Sequence, residues 1–99
     1  MIKCAFIFIA DGANPETDRS VVNTPSVKLA TIGVKDYKTA VALTKELVND
    51  GYNAIELCGG FGHIGVAEIA RAAEGKAAVG AVRFDCHPGL DCKSGVSVF

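Results

Sequence analysis

The sequence predicts a small α/β domain with a four-stranded, mostly parallel sheet. Four short apolar segments have strand character, and between residues 28 and 84 they alternate with two segments of helical periodicity. Consecutive strand–helix–strand units form parallel strands, because the chain crosses back over the sheet in each helix. The predicted order is β-(α)-β-α-β-α-β, followed by an extended C-terminal tail.

Length and composition agree with one folded domain that covers residues 1–99. The chain is 49% hydrophobic and 21% charged, which is too apolar for a disordered protein. Its length lies within the range of domains that fold alone. No linker, internal repeat or low-complexity segment divides it.

Each strand is predicted from a short apolar run. The first, Cys4–Ala10, is continuously apolar and rich in Ile and Phe, which is typical of a strand covered on both faces. The other predicted strands are Lys28–Val34, Asn53–Cys58 and Ala77–Phe84.

The helices are predicted from apolar residues at three- and four-residue spacing. This pattern runs over residues 36–50, where Asp36 can cap the start and Gly51 can close the end. A second helix is predicted over residues 64–74, with an inner surface made mostly of alanine. A third, short helix is predicted within residues 14–22, in the long connection that follows the first strand.

The tail, residues 85–99, is too short for another strand–helix unit. Its alternating segment Val96–Phe99 predicts a short edge strand, within the subunit or on a neighbouring one. Because parallel strands need cover on both faces, this small chain is expected to leave apolar surface exposed. We therefore expect a homo-oligomer, a dimer or higher. The alternative is a monomer whose tail covers its own edge.

Charge and apolar patterning exclude several partners. Ten Lys and Arg residues balance eleven Asp and Glu residues without any long run of like charge, so neither nucleic acid nor a membrane surface is expected as a partner. The longest apolar run is far too short to span a bilayer. Only Met1–Lys3 precedes the first strand, which leaves no room for a secretory signal, so we expect a cytoplasmic protein with reduced thiols.

The carboxyl ends of the predicted strands carry polar and glycine-rich segments, and ligands of parallel α/β sheets gather at that edge. Asp11 follows the first strand, and Gly59, Gly60 and Gly62 follow the third. Glycines before a helix allow a ligand to approach backbone N–H groups that favour phosphate or carboxylate. The alternative is that these glycines only form a tight turn and allow close helix packing.

Glu56 stands out because it interrupts an apolar strand. If Glu56 and Arg83 share a face of neighbouring strands, they can meet near the carboxyl edge. Arg83 would then bind an anionic ligand and Glu56 would orient it, with Asp85 nearby. The alternative is a structural ion pair at a subunit interface.

Thiol and metal chemistry are further hypotheses. Cys58 ends a strand just before a helix, where a thiol can become reactive, and His63 or His87 could act as its base. His87 is the expected acid–base group if the site is catalytic. Cys86 and Cys92 could bind a soft divalent ion with His87, but their five-residue spacing is longer than that of zinc knuckles and no second close pair exists. We assign no metal ligand and no cofactor.

Three segments together resemble a known family. They are the apolar strand that ends in Asp11-Gly12, the segment Ile55–Gly62, and the segment Val82–Gly89. The chain resembles, over nearly its whole length, a family of small prokaryotic proteins of similar size that is classed as a domain of unknown function. The resemblance implies a compact α/β domain and no particular reaction, cofactor or partner.

These observations predict a protein that binds a small anionic molecule at the carboxyl edge of its sheet. One alternative is a structural or interaction subunit of a homo-oligomer without catalysis. Another is a thiol- or metal-dependent enzyme that uses Cys58, Cys86, His87 and Cys92.

Overall fold

Five strands and two helices make up the fold. The structure, a computed structural model, describes residues 1–99. Its elements are β1 (Ile2–Ile9), β2 (Arg19–Asn23), β3 (Val27–Val34), α1 (Tyr37–Asn49), β4 (Ala54–Leu57), α2 (His63–Ala73) and β5 (Ala78–Ala81), followed by two single 3₁₀ turns at Pro88–Leu90 and Gly95–Ser97. No helix is long and apolar enough to cross a membrane.

The strands form one mixed sheet in the order β2-β3-β1-β4-β5. The four strands β3, β1, β4 and β5 run parallel, and β2 pairs antiparallel with the edge of β3. The prediction of a small α/β fold is confirmed. The predicted number of four strands is wrong, because the connection after β1 contributes a fifth.

The short helix predicted within residues 14–22 is absent. Residues 14–18 form turns, and Arg19–Asn23 forms β2, which satisfies the otherwise unpaired edge of β3. The β2–β3 turn is closed by Thr24, whose hydroxyl accepts a hydrogen bond from the N–H of Val27 at 2.9 Å. The tail is also not a strand, because Gly95–Ser97 is a 3₁₀ turn.

The two predicted helices are confirmed within a residue or so of their expected ends. Asp36 caps α1 by accepting a hydrogen bond from the N–H of Thr39 at 2.8 Å. This bond to Thr39 lowers the pKa of the Asp36 carboxyl below its usual value. Helix α2 ends at Ala73, its C-cap residue Glu74 has a left-handed conformation, and Gly75 follows with φ +73°.

Both helices lie on the same face of the sheet. The crossovers β3–α1–β4 and β4–α2–β5 advance in the same direction, so right-handed connections put both helices on one side. The buried core therefore uses one side of each central strand: Ala5, Ile7 and Ile9 of β1, Ala30, Ile32 and Val34 of β3, and Ile55 and Leu57 of β4. We call this side the covered face.

The other side of the sheet has no helix on it, and we call it the open face. Its centre consists of the alternate residues of the same strands, namely Cys4, Phe6 and Phe8 of β1, Leu29 and Thr31 of β3, and Ala54 of β4. All six are half-buried, and none belongs to the buried core. The expectation that β1 is covered on both faces is therefore wrong for the single chain.

Candidate functional site

A cleft of about 510 Å³ lies where β4 and β5 end and α2 begins. Three segments of the chain form its walls: the loop before α2, the segment after β5, and the tail. The residues that line it include two glycines and four polar or charged residues: Gly59, Gly62, His63, Arg83, Asp85 and Ser94. The cleft thus lies at the carboxyl edge of the sheet, where the sequence predicts the ligand.

The first turn of α2 presents backbone donors at this cleft. Gly62 is the N-cap residue and has no side chain to cap the helix. Val66 is the first residue of α2 whose N–H makes a hydrogen bond within the helix, to the carbonyl of Gly62. The three N–H groups before it, of His63, Ile64 and Gly65, make no such bond. An anion at this end would meet both these donors and the positive end of the helix dipole.

Tyr37 fixes this loop to α1. Its hydroxyl accepts a hydrogen bond from the N–H of Gly62 at 2.9 Å, and its ring stacks on Phe61 at 5.7 Å between centroids. Burial raises the pKa of the Tyr37 hydroxyl, and the nearby Glu68 carboxylate adds to the effect. A side chain at Gly65 would overlap this ring, so the glycine allows α2 to approach α1 closely.

Arg83 and Asp85 form an exposed ion pair at the rim of the cleft. The Nη2 and Nε atoms of Arg83 lie 2.9 and 3.0 Å from Oδ1 of Asp85. The guanidinium side chain is 87% exposed, so its remaining donors are open to a ligand. Asp85 both orients this guanidinium and offsets part of its charge.

The glycine loop is packed against the protein's own chain. A side chain at Gly59 would overlap the ring of Phe84, and one at Gly62 would overlap Val96 and lie 2.7 Å from Ser94 Oγ. Gly60 is buried, and a side chain there would come within 2.7 Å of Ile9. Close packing therefore explains Gly60 fully, whereas Gly59 and Gly62 also border the cleft.

Glu56 does not meet Arg83. Glu56 pairs in register with Gly80, and Leu57 pairs with Ala81. Arg83 lies two residues beyond the end of β5 and lines the cleft, whereas Glu56 is exposed on the open face. The predicted contact between Glu56 and Arg83 is wrong, because Glu56 alternates onto the opposite face of the sheet from the one predicted. The carboxylate that pairs with Arg83 is that of Asp85. Asp11 is exposed in the turn after β1 and does not line the cleft.

The two predicted catalytic groups have structural contacts. Sγ of Cys58 accepts from the N–H groups of Ile9 and Gly60 at 3.3 and 3.4 Å. His87 begins the first 3₁₀ turn, its Nδ1 accepts from the N–H of Gly89 at 3.0 Å, and its ring lies 4.7 Å from that of Phe84. Neither residue lines the cleft.

Cys86 and Cys92 are joined in a disulfide that closes the loop after Asp85. Cys4 and Cys58 are the free thiols of the structure. A disulfide sulfur offers no thiolate for a metal. No group of three or more His, Cys, Asp or Glu side chains is placed to hold a metal ion.

The cleft also contains residues that the sequence did not assign to an anion site. His63 opens α2, and Ser94 approaches from the tail. His63 could have been found from its position in the first turn of the helix. Ser94 could not, because only the folded tail brings it to Gly62.

Comparison with known proteins agrees with the resemblance seen in the sequence. The sequence model of the family of unknown function DUF6506 matches residues 2–97. No curated protein and no solved structure matches the chain. The resemblance to a domain of unknown function is confirmed.

Proposed function

The chain belongs to the DUF6506 family, whose function is unknown, and we propose from its own site that it binds a small anion in the cleft. The ligand class is a phosphate or a carboxylate. One observation carries this proposal: Arg83 lines the same cleft as His63, the first residue of α2, whose N–H group makes no bond within the helix. A cation and a helix N-terminus together favour a negative group more than either alone.

The arrangement suggests a role for each group. The backbone N–H group of His63 would bind an oxygen of the anion, and Arg83 would supply the positive charge. Asp85 holds the guanidinium by one oxygen, which leaves donors of Arg83 for the ligand. The Ser94 hydroxyl is a further donor from the tail.

A second candidate is an interaction subunit without catalysis. The packing of Gly59, Gly60 and Gly62 against the chain's own side chains favours it, because that packing accounts for the glycines without any ligand. The open apolar face of the sheet favours it too. The two functions use different surfaces, so they are tested separately.

A thiol enzyme based on Cys58 and His87 has less support. His87 is held in the 3₁₀ turn by Gly89, and Cys58 is bound to backbone N–H groups. A catalytic Cys58 would be alkylated much faster than Cys4 in the folded protein. Equal rates would exclude this reading.

We also propose a cytoplasmic location. In that reducing compartment the Cys86–Cys92 disulfide would be mostly reduced, so alkylation of whole cells should label all four cysteines. Labelling of only Cys4 and Cys58 would contradict the proposed location.

The anion site is tested by titrating the protein with inorganic phosphate and, separately, with acetate while recording amide NMR shifts. The expected shifts are concentrated at residues 62–65, and Arg83→Ala should weaken binding about tenfold, since a charge-assisted contact contributes roughly 1.5–3 kcal/mol before the Asp85 pair is discounted. Arg71→Ala is the matched control, because Arg71 is an exposed arginine in the last turn of α2, at the opposite end of that helix from the cleft.

Two outcomes would overturn the proposal. One is phosphate and acetate binding that Arg83→Ala leaves unchanged while the protein stays folded. The other is weakening by Arg71→Ala as large as that by Arg83→Ala, which would indicate a general charge effect and not a site.

A further inference from the structure

One row of the open face is apolar from one edge of the sheet to the other. Cys4 of β1 lies between Leu29 of β3 and Ala54 of β4 in register. On the edge strand, Val22 pairs with Leu29 on the same face and is 56% exposed. Parallel strands are normally covered on both faces, so a face of this composition calls for a second layer.

The total exposed area points the same way. A folded monomer of 10.3 kDa exposes about 5,400 Å² on the average scaling with mass. This chain exposes 5804 Å². The chain therefore exposes about 8% more surface than the average for its mass.

The open face is large enough for a specific interface. Five strands spaced about 4.8 Å apart, with a mean usable length of about 20 Å, give a face of roughly 480 Å² before side-chain relief is counted. Two such faces would bury on the order of 1,000 Å², which is the lower bound for a specific protein–protein contact.

Charge narrows the choice of partner. Among the strand residues that alternate onto the open face, Glu56 is the one ionisable group other than the Cys4 thiol, and no Lys or Arg lies there. A strongly acidic partner would find no cation, and a strongly basic one would find a single carboxylate. A surface that is itself apolar and nearly uncharged complements this face best.

The row of side chains that contains Phe6 is complementary to the same row of a second copy of the chain. Phe6 pairs with Thr31 on one side and with Glu56 on the other, so these three side chains lie at the same level. A two-fold axis along β1, midway between two facing sheets, exchanges the β3 and β4 positions. It would place Glu56 opposite Thr31 of the partner subunit, where a hydroxyl can donate to the carboxylate, and the contact would be made twice.

We propose that the open face binds a second copy of this chain, sheet against sheet, in a two-fold dimer. The contact is apolar at its centre, where Phe6 of one copy faces Phe6 of the other and Leu29 faces Ala54 of the partner subunit. The cleft stays outside this interface, because it is built on the covered side of the sheet and at its carboxyl edge. The proposal does not depend on the anion site.

The test is sedimentation analysis of the full chain from low to high micromolar concentration. The wild type should reach twice the 10.3 kDa mass of one chain. Val22→Arg should weaken self-association at least tenfold, because it puts a charge into the apolar contact. Val21→Arg is the matched control: Val21 is the next residue of β2, is 45% exposed and alternates onto the opposite face.

Thr31→Arg tests the centre of the face, where a dimer should be lost altogether. Circular dichroism and thermal melting show whether each variant is folded, and the exposed Val22 site keeps the test valid if Thr31→Arg does not fold. A wild type that stays monomeric overturns the proposal and leaves the face to a different partner. Equal effects of Val22→Arg and Val21→Arg also overturn it, because the dimer would then use another surface.

Discussion

The covered and open faces of the sheet come from the same strands but have different surroundings. On β3, Ile32 is completely buried beneath the helices, while Leu29 on the other side is only half-buried. The cause is topological, because both crossovers place their helices on one side. A continuously apolar strand thus indicates that both of its faces should be shielded from water. The order of the strands in the sheet decides on which of the two faces the helices of the chain lie.

The candidate cleft lies on the covered side. Tyr37 of α1, Gly62 at the start of α2 and the tail residue Val96 meet there. Three segments that are distant in sequence are therefore packed together at Gly62. The open face lacks such convergence and has the features of an interface.

The largest effect should separate the two faces directly. Ile32→Ala removes a side chain with no exposed surface and should lower the free energy of unfolding by about 2–5 kcal/mol. Leu29→Ala, on the same strand, should cost about 1 kcal/mol in dilute solution, where the open face is uncovered. Urea denaturation of both variants measures the difference.

The same pair of variants should also respond differently to protein concentration. If the open face forms a dimer, the cost of Leu29→Ala increases with concentration, and that of Ile32→Ala changes much less. Equal costs for the two variants in dilute solution would break the distinction between the faces.

Two glycines give the next largest difference. A side chain at Gly95 would overlap the carbonyl of Gly60, so Gly95→Ala should displace the tail and cost about 1–3 kcal/mol. Gly80, on the open side of β5, has nothing within 4 Å of the added carbon, so Gly80→Ala should change stability by less than about 0.5 kcal/mol. Thermal melting tests both. A harmless Gly95→Ala would show that the tail is not packed on the glycine loop.

A smaller effect is expected at the cap of α1, the helix that covers much of the sheet. Asp36→Ala removes the hydrogen bond to Thr39 and should cost about 1 kcal/mol at neutral pH. Because the folded-state pKa of Asp36 lies below its usual 3.8, its stabilising effect is complete above that value. The effect then disappears as the pH falls through the lower folded-state pKa.

Melting temperatures measured from neutral to acidic pH test this cap. The wild type and Asp36→Ala should converge at low pH. Glu16→Ala, which removes one negative charge from an exposed turn, should show no such convergence. A constant difference between wild type and Asp36→Ala across the pH range would mean that the carboxylate charge does not stabilise the cap.

Local signals predicted the parts of the fold that depend on neighbouring residues. The apolar spacing and the Asp36 cap identified α1, and the run that ends at Val34 identified β3. β2 was missed because its structure depends on pairing with the edge of β3, a contact that the pattern of residues 14–22 does not show. The tail was missed for a similar reason, since Gly95 is fixed by its contact with Gly60.

The structure brings together only part of the predicted site. Gly59, Gly62, Arg83 and Asp85 line one cleft at the carboxyl edge, whereas Asp11, Glu56, Cys58 and His87 do not line it. Glu56 was put on the wrong face because strand register is set by pairing, and a shift of one residue reverses every side chain. The sequence predicts which residues of one strand share a face. It does not predict which face of the neighbouring strand lies on the same side of the sheet.

Alkylation of Cys4 tests most directly whether the open face is a subunit interface. Cys4 is a half-buried free thiol at the centre of that face, between Leu29 and Ala54. Its alkylation rate, followed by peptide mass spectrometry, should fall at least tenfold as the protein passes from monomer to dimer concentrations. A dimer in which Cys4 reacts as fast as in the monomer would contradict the account, since the subunits would then meet elsewhere.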